Sequence, residues 1–143
     1  MEVAQLIAGR SPSDIISIDA GQPVREAIAL LAGKRIGALP VMQDGAIVGI
    51  FSERDVIYRM ADEGTACLDK LVAQVMTAPP ITVEKSARID DALGLMTRRR
   101  IRHLPVTDNG AFVGFVSIGD LVKSRMDEVE HEAQAMRAYI TTA

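Results

Sequence analysis

Apolar positions along this chain follow two periods that alternate in a fixed order. Residues 15–18 (IISI) form a short apolar run of strand character, and residues 23–34 then place Val24, Ala27, Ile28 and Leu31 at the three-and-four spacing of one helix face. Pro23 suits the first turn of that helix. Two β-rich runs follow at 38–42 and 46–51, separated by Gln-Asp-Gly, a tight hairpin signal. Ser52 stands where it can cap a further helix over 53–62. The order strand, helix, strand, strand, helix then recurs. Residues 36–56 (IGALPVMQDGAIVGIFSERDV) align without a gap on residues 101–121 (IRHLPVTDNGAFVGFVSIGDL), 65 positions later, and the match extends back to Ile18 over Val83. Of those 39 aligned positions 13 are identical, which marks an internal duplication. Two copies of one unit in a small chain are expected to pack face to face about a pseudo-twofold axis, with two related pockets in the cleft between them.

Outside the repeats the pattern is simpler. Residues 65–80 join the units and are expected to hold a short helix at 68–76. Ser117 caps a last helix that runs from about residue 118 to 140, along which Val122, Met126, Val129, Ala133, Met136 and Ile140 form a heptad-like stripe. Two and a half heptads are short for an autonomous coiled coil, so the stripe either packs on its own module or meets the same helix of a second subunit. The resulting division is an N-terminal helix over 1–10, repeats at 11–66 and 67–124, and a helical extension over 125–143.

The 143 residues suffice to bury a core of ordinary size without a staple. A single cysteine, Cys67, rules out an internal disulfide, and two histidines make a zinc site improbable. Neither a membrane span nor a signal-peptide core stands out, and a cytoplasmic setting is expected. Sixteen basic against nineteen acidic residues, a net charge of −3, argue against a broad nucleic-acid surface.

Two strings stand out for their chemistry, GIFSERD (49–55) and GFVSIGD (114–120). Together with the LPV triplets at 39–41 and 104–106 and the hairpins between them, they make each repeat resemble a CBS domain, the βαββα module named after cystathionine β-synthase. The tandem resembles a CBS pair, or Bateman module. The fold class implied is α+β, and the resemblance covers about residues 11–124, so the chain is expected to stand alone rather than as an appendage of the enzymes, channels and transporters that most such modules regulate.

The serine of each string falls at a helix N-terminus, and the aspartate three residues on lies one turn along nearly the same face. A carboxylate there can accept from the two hydroxyls of a ribose, while the free N–H groups of the helix start favour a phosphate. The same residues also serve as plain helix caps, and on residue type alone both readings stand. The resemblance implies the first, because CBS pairs bind adenosine derivatives through this serine or threonine and this aspartate.

Carried onto this sequence, one pocket takes Ser117 and Asp120 with Ile16, Gly37, Ala38, Arg102 and His103. The other takes Ser52, Arg54 and Asp55 with Thr77 and Ile81. Arg102 and His103, just before the second LPV, are the first choices for a phosphate, and Ile16 and Ile81 can sandwich an adenine. Arg98, Arg99 and Arg100 read first as cations offsetting a helix C-terminus. Phe51, Phe112 and Phe115 read as core. No nucleophile elbow, Walker loop or metal pattern is present, so a sensor rather than an enzyme is expected. Its ligand would be AMP, followed by ADP or ATP and then NAD(H), and the resemblance further implies a homodimer that signals to an unidentified partner protein. The alternative is an interaction module that binds no nucleotide; a nucleic-acid role for the arginine run ranks last.

Overall fold

The computed structural model describes residues 1–142. Each repeat builds a three-stranded sheet of its own. In the first, β1 (Ile18–Asp19) runs parallel to β2 (Ala38–Gln43), and β2 pairs antiparallel with β3 (Ala46–Ser52). In the second, β4 (Val83–Glu84), β5 (His103–Asp108) and β6 (Ala111–Ser117) repeat that order, with the same register and the same irregularity after the valine of LPV. Both hairpins turn through two residues at positive φ, Asp44-Gly45 and Asn109-Gly110, the primed-turn geometry that matches strand twist. Helices α2 (Val24–Lys34) and α5 (Ile89–Arg99) end alike, on Arg35 and Arg100 in the left-handed region. The third strands lead into α3 (Glu53–Glu63) and α6 (Ile118–Thr142). Two separate cores result: Leu39, Val41 and Phe51 with Val24 and Leu31 in one, and Leu104, Val106 and Val116 with Ile89 and Met96 in the other.

The structure departs from the sequence-based expectations in three places. The strand expected at 15–18 is β1 at Ile18–Asp19, because a turn at Pro12–Asp14, closed by Ile15 N–H donating to Pro12 O at 3.2 Å, brings the chain to β2 only at Ile18. Pro23 precedes α2 as its cap rather than occupying its first turn. The single helix expected over 68–76 is a 3-10 segment, Gly64–Asp69, followed by α4 (Val72–Val75), since Lys70 and Leu71 are extended between them.

The duplication also reaches further than the 65-residue register. Helix α1 (Val3–Ile7) and the α4 segment share Val-Ala-Gln, at 3–5 and 72–74, a spacing of 69. Val3 N–H donates to Ala87 O at 2.8 Å as Val72 N–H does to Gln22 O at 2.8 Å, and the amides of Glu2 and Leu71 donate to the side chains of Gln5 and Gln74. Each leader helix crosses the third strand at a glycine, Ile7 against Gly114 and Met76 against Gly49. With 69 residues between the leaders and 65 between the bodies, the segment after α1 is four residues longer than the one after α4. Those extra residues fall beside a cavity.

Candidate functional site

The sequence strings predict a serine cap and an aspartate at each helix start, and the local geometry is a reciprocal box in both copies. Ser52 N–H donates to Asp55 Oδ2 at 2.8 Å and Asp55 N–H donates back to Ser52 Oγ at 3.3 Å; the second copy repeats this with Ser117 and Asp120 at 2.9 and 3.1 Å. Each box therefore closes two orphan amides at a helix start before it does anything else. The outer oxygens differ. Asp55 Oδ1 accepts from Thr77 Oγ1 at 2.9 Å, whereas Asp120 Oδ1 faces the Arg10 guanidinium at 3.9 Å.

Two cavities lie against these boxes. The first, about 440 Å³, is bounded by Ser117 and Asp120, by Ile16, Ala38 and His103, and by Arg10 and Asp14 from the longer leader segment. The second, about 910 Å³, is bounded by Ser52, Arg54, Asp55, Thr77 and Ile81, and also by Gly37, Ala38, Arg102 and His103. Gly37 and Arg102, grouped with Asp120 on sequence grounds, thus line the cavity of Asp55. Gly37 and Arg102 each stand just before the middle strand of their repeat, and each gives its carbonyl to the start of its own repeat's helix. Gly37 O accepts from Glu53 N–H at 3.0 Å and Arg102 O from Ile118 N–H at 2.8 Å. Ala38 and His103 line both cavities.

The charges are unequal. Around the second cavity stand Arg54, Arg99 and Arg102 with Glu53 and Asp55; around the first stand Arg10 with Asp14 and Asp120. Arg54 also crosses between the repeats, its Nη1 donating to Arg100 O at 2.8 Å. His103 stacks on Phe115, with ring centroids 5.5 Å apart. Burial holds its imidazole below the ordinary histidine value and Arg102 pushes the same way, against the opposing pull of Asp120 and Glu53. The ring is therefore a neutral donor or acceptor near neutral pH, placed between the cavities.

Sequence reasoning did not single out Arg10, Asp14, Glu53 or Tyr58 as lining residues. For Arg10 and Asp14 the repeated Val-Ala-Gln was the available signal: it shows that a leader helix belongs to each repeat and that the first is followed by extra chain. Glu53 and Tyr58 carry no comparable signal, since their partners under the duplication, Ile118 and Lys123, are unlike them.

Two boxes in pseudo-equivalent positions, each at a strand-to-helix junction of a βαββα unit, describe one family, and its CBS-domain model matches residues 11–62 and 72–127. The chain belongs to the CBS-domain family. Among its relatives, the CBS domain-containing protein CBSX3, mitochondrial, of Arabidopsis thaliana is 35% identical over 122 residues, which are 82% of this chain and 59% of that one, so this chain spans less than two thirds of that relative's length. The crystal structure of a CBS-domain containing protein from Agrobacterium tumefaciens superposes with a TM-score of 0.81 at 34% identity, covering 87% of this chain and 99% of that one. The structure of CBSX2 from Arabidopsis thaliana in complex with AMP superposes with a TM-score of 0.76 at 26% identity, covering 88% and 96%. No helix among the described residues is long and apolar enough to cross a membrane.

Proposed function

We propose that this CBS pair is a regulatory module that binds an adenine nucleotide, with AMP first, ADP or ATP next and NAD(H) after them, and that it works as a homodimer signalling to a partner protein. The observation that carries the reading is the pairing of a helix-start carboxylate with guanidinium groups in one cavity: Asp55 with Arg54, Arg99 and Arg102. Carboxylate for a ribose diol and guanidinium for phosphate are the complementary chemistries of a nucleotide. CBSX2 in complex with AMP supports it from a related chain. The Asp120 cavity, with two carboxylates and one guanidinium, suits a nucleoside moiety better than a phosphate. A ligand that bridges both repeats would favour one relative orientation of them, a population shift.

Calorimetry on ligand-free protein tests this. Asp55→Ala and Asp120→Ala are each expected to weaken AMP binding at their own cavity by about 1.5–3 kcal/mol, roughly ten- to a hundredfold. Equal affinity in the wild type and the double variant removes the nucleotide reading. It would leave in front a ligand-free interaction module, which the exposed apolar face of α6 favours.

A further inference from the structure

We infer that α6 pairs with α6 of a second copy as a parallel, in-register two-stranded coiled coil. This rests on the homodimer reading above but not on nucleotide binding. The helix packs on its own module through Leu121, which is buried, and through Arg125, which reaches Asp90 of α5 at 3.3 Å. From residue 129 to 142 every position is exposed. That stretch projects about 20 Å at 1.5 Å per residue. A helix of that length has no stability of its own in water. It nevertheless carries apolar residues in register, with Val129 47%, Met136 60% and Ile140 66% exposed.

Charge selects both occupant and direction. With Met126, Ala133 and Ile140 at a and Val122, Val129 and Met136 at d, the g positions are Arg125, Glu132 and Tyr139 and the e positions are Lys123, Glu130 and Arg137. In a parallel, in-register dimer each g residue meets the e residue five positions on. Arg125 then faces Glu130 and Glu132 faces Arg137, opposite charges in every charged g–e contact. An antiparallel pair that keeps all six apolar layers opposes Glu130 to Glu130, Glu132 to Glu132 and Lys123 to Arg137. Shifting that pair by one heptad leaves two of the six apolar residues uncovered, Met136 and Ile140 in one direction or Val122 and Met126 in the other. Within one helix, no residue three or four positions from Glu132 or Arg137 carries the opposite charge, so their complement is supplied by the second copy.

Sedimentation and cross-linking of the full chain decide it. Glu132→Arg, at an exposed site that leaves the module's core untouched, is expected to raise the dimer dissociation constant about tenfold, and adding Arg137→Glu to restore it to within about threefold. Met136→Cys is expected to form a covalent dimer under mild oxidation, since in-register d positions lie within disulfide reach, whereas Ala138→Cys on the outer face is not. A monomeric wild type overturns both this inference and the homodimer reading. A dimer insensitive to Glu132→Arg, or one in which Met136→Cys links only to a Met126→Cys chain, overturns the parallel seam and leaves the homodimer standing.

Discussion

Gly49 and Gly114 occupy the same place in the two repeats, yet the structure separates what a methyl group would do at each. A Cβ on Gly49 would sit 2.5 Å from Met76 Sδ and 2.9 Å from Thr77 O. The thioether can swing aside, but the carbonyl is fixed: Thr77 O accepts from Ile50 N–H at 3.0 Å, and Thr77 N–H donates to Ile50 O at 2.8 Å. Admitting the methyl therefore means overpacking, about 1–3 kcal/mol, together with loosening two backbone hydrogen bonds at about 0.5–1.5 kcal/mol each when lost. Gly49→Ala is expected to cost about 2–4 kcal/mol. At Gly114 the neighbours are side-chain atoms of Ile7 at 3.0 and 3.1 Å, which a rotamer change can move, and about 1 kcal/mol is expected. Urea unfolding of both variants, with slopes compared so that midpoints translate into free energies, measures the difference. Because the displaced Thr77 holds Asp55, Gly49→Ala should also weaken AMP binding at the larger cavity while Gly114→Ala leaves that cavity alone. Equal destabilisation by the two substitutions, or the reverse order, refutes the argument that a backbone carbonyl decides the cost.

Arg102→Ala is expected to weaken AMP binding severalfold more than adenosine binding and to flatten its salt dependence, read by calorimetry at two ionic strengths. For His103 the unfolded chain takes up a proton near pH 6.5, while the native state, with its lowered value, does so only at lower pH. The stabilisation is therefore complete above about pH 6.5 and is lost as the pH falls towards the native value; His103→Gln should flatten that part of the stability profile, followed by urea midpoints between pH 7.5 and 5. Thr77→Val removes the hydroxyl that donates to Asp55 Oδ1 and is expected to shift AMP affinity at that cavity alone, which calorimetry in an Asp120→Ala background isolates.

The hairpins, the helix faces and both Ser–Asp boxes were legible because each is local: a turn needs its Asn-Gly or Asp-Gly and a cap needs its serine, and the sequence spells both. Which cavity Arg102 joins was not. That depends on how two sheets meet, and no periodicity encodes the direction of a side chain across a pseudo-twofold interface. The strand at 15–18 was misplaced for a related reason: an apolar run satisfies a strand template and a cavity wall equally well, and only the partner strand distinguishes them. The leader helices are readable in principle from the repeated Val-Ala-Gln, but they stand four residues out of the ungapped register that the repeat bodies share.

One position explains why the two repeats end differently. Helix α3 stops where Gly64, at φ +66°, closes it after eleven residues. Sixty-five residues later the same place holds Val129. A β-branched residue does not adopt positive φ without strain, so the stop is lost and α6 runs on for almost another four turns. Val129 is also the first of the fully projecting residues and a d position of the proposed seam. The loss of a glycine stop and the gain of an apolar contact are thus the same substitution within the duplication. The helix that bears Asp120 in its first turn thereby becomes the one that extends beyond the module, while the helix that bears Asp55 does not. The Asp55 cavity nevertheless reaches that helix through Arg102, which lines it and whose carbonyl accepts from Ile118 N–H at 2.8 Å. Ala38 and His103, which line both cavities, join the two sites.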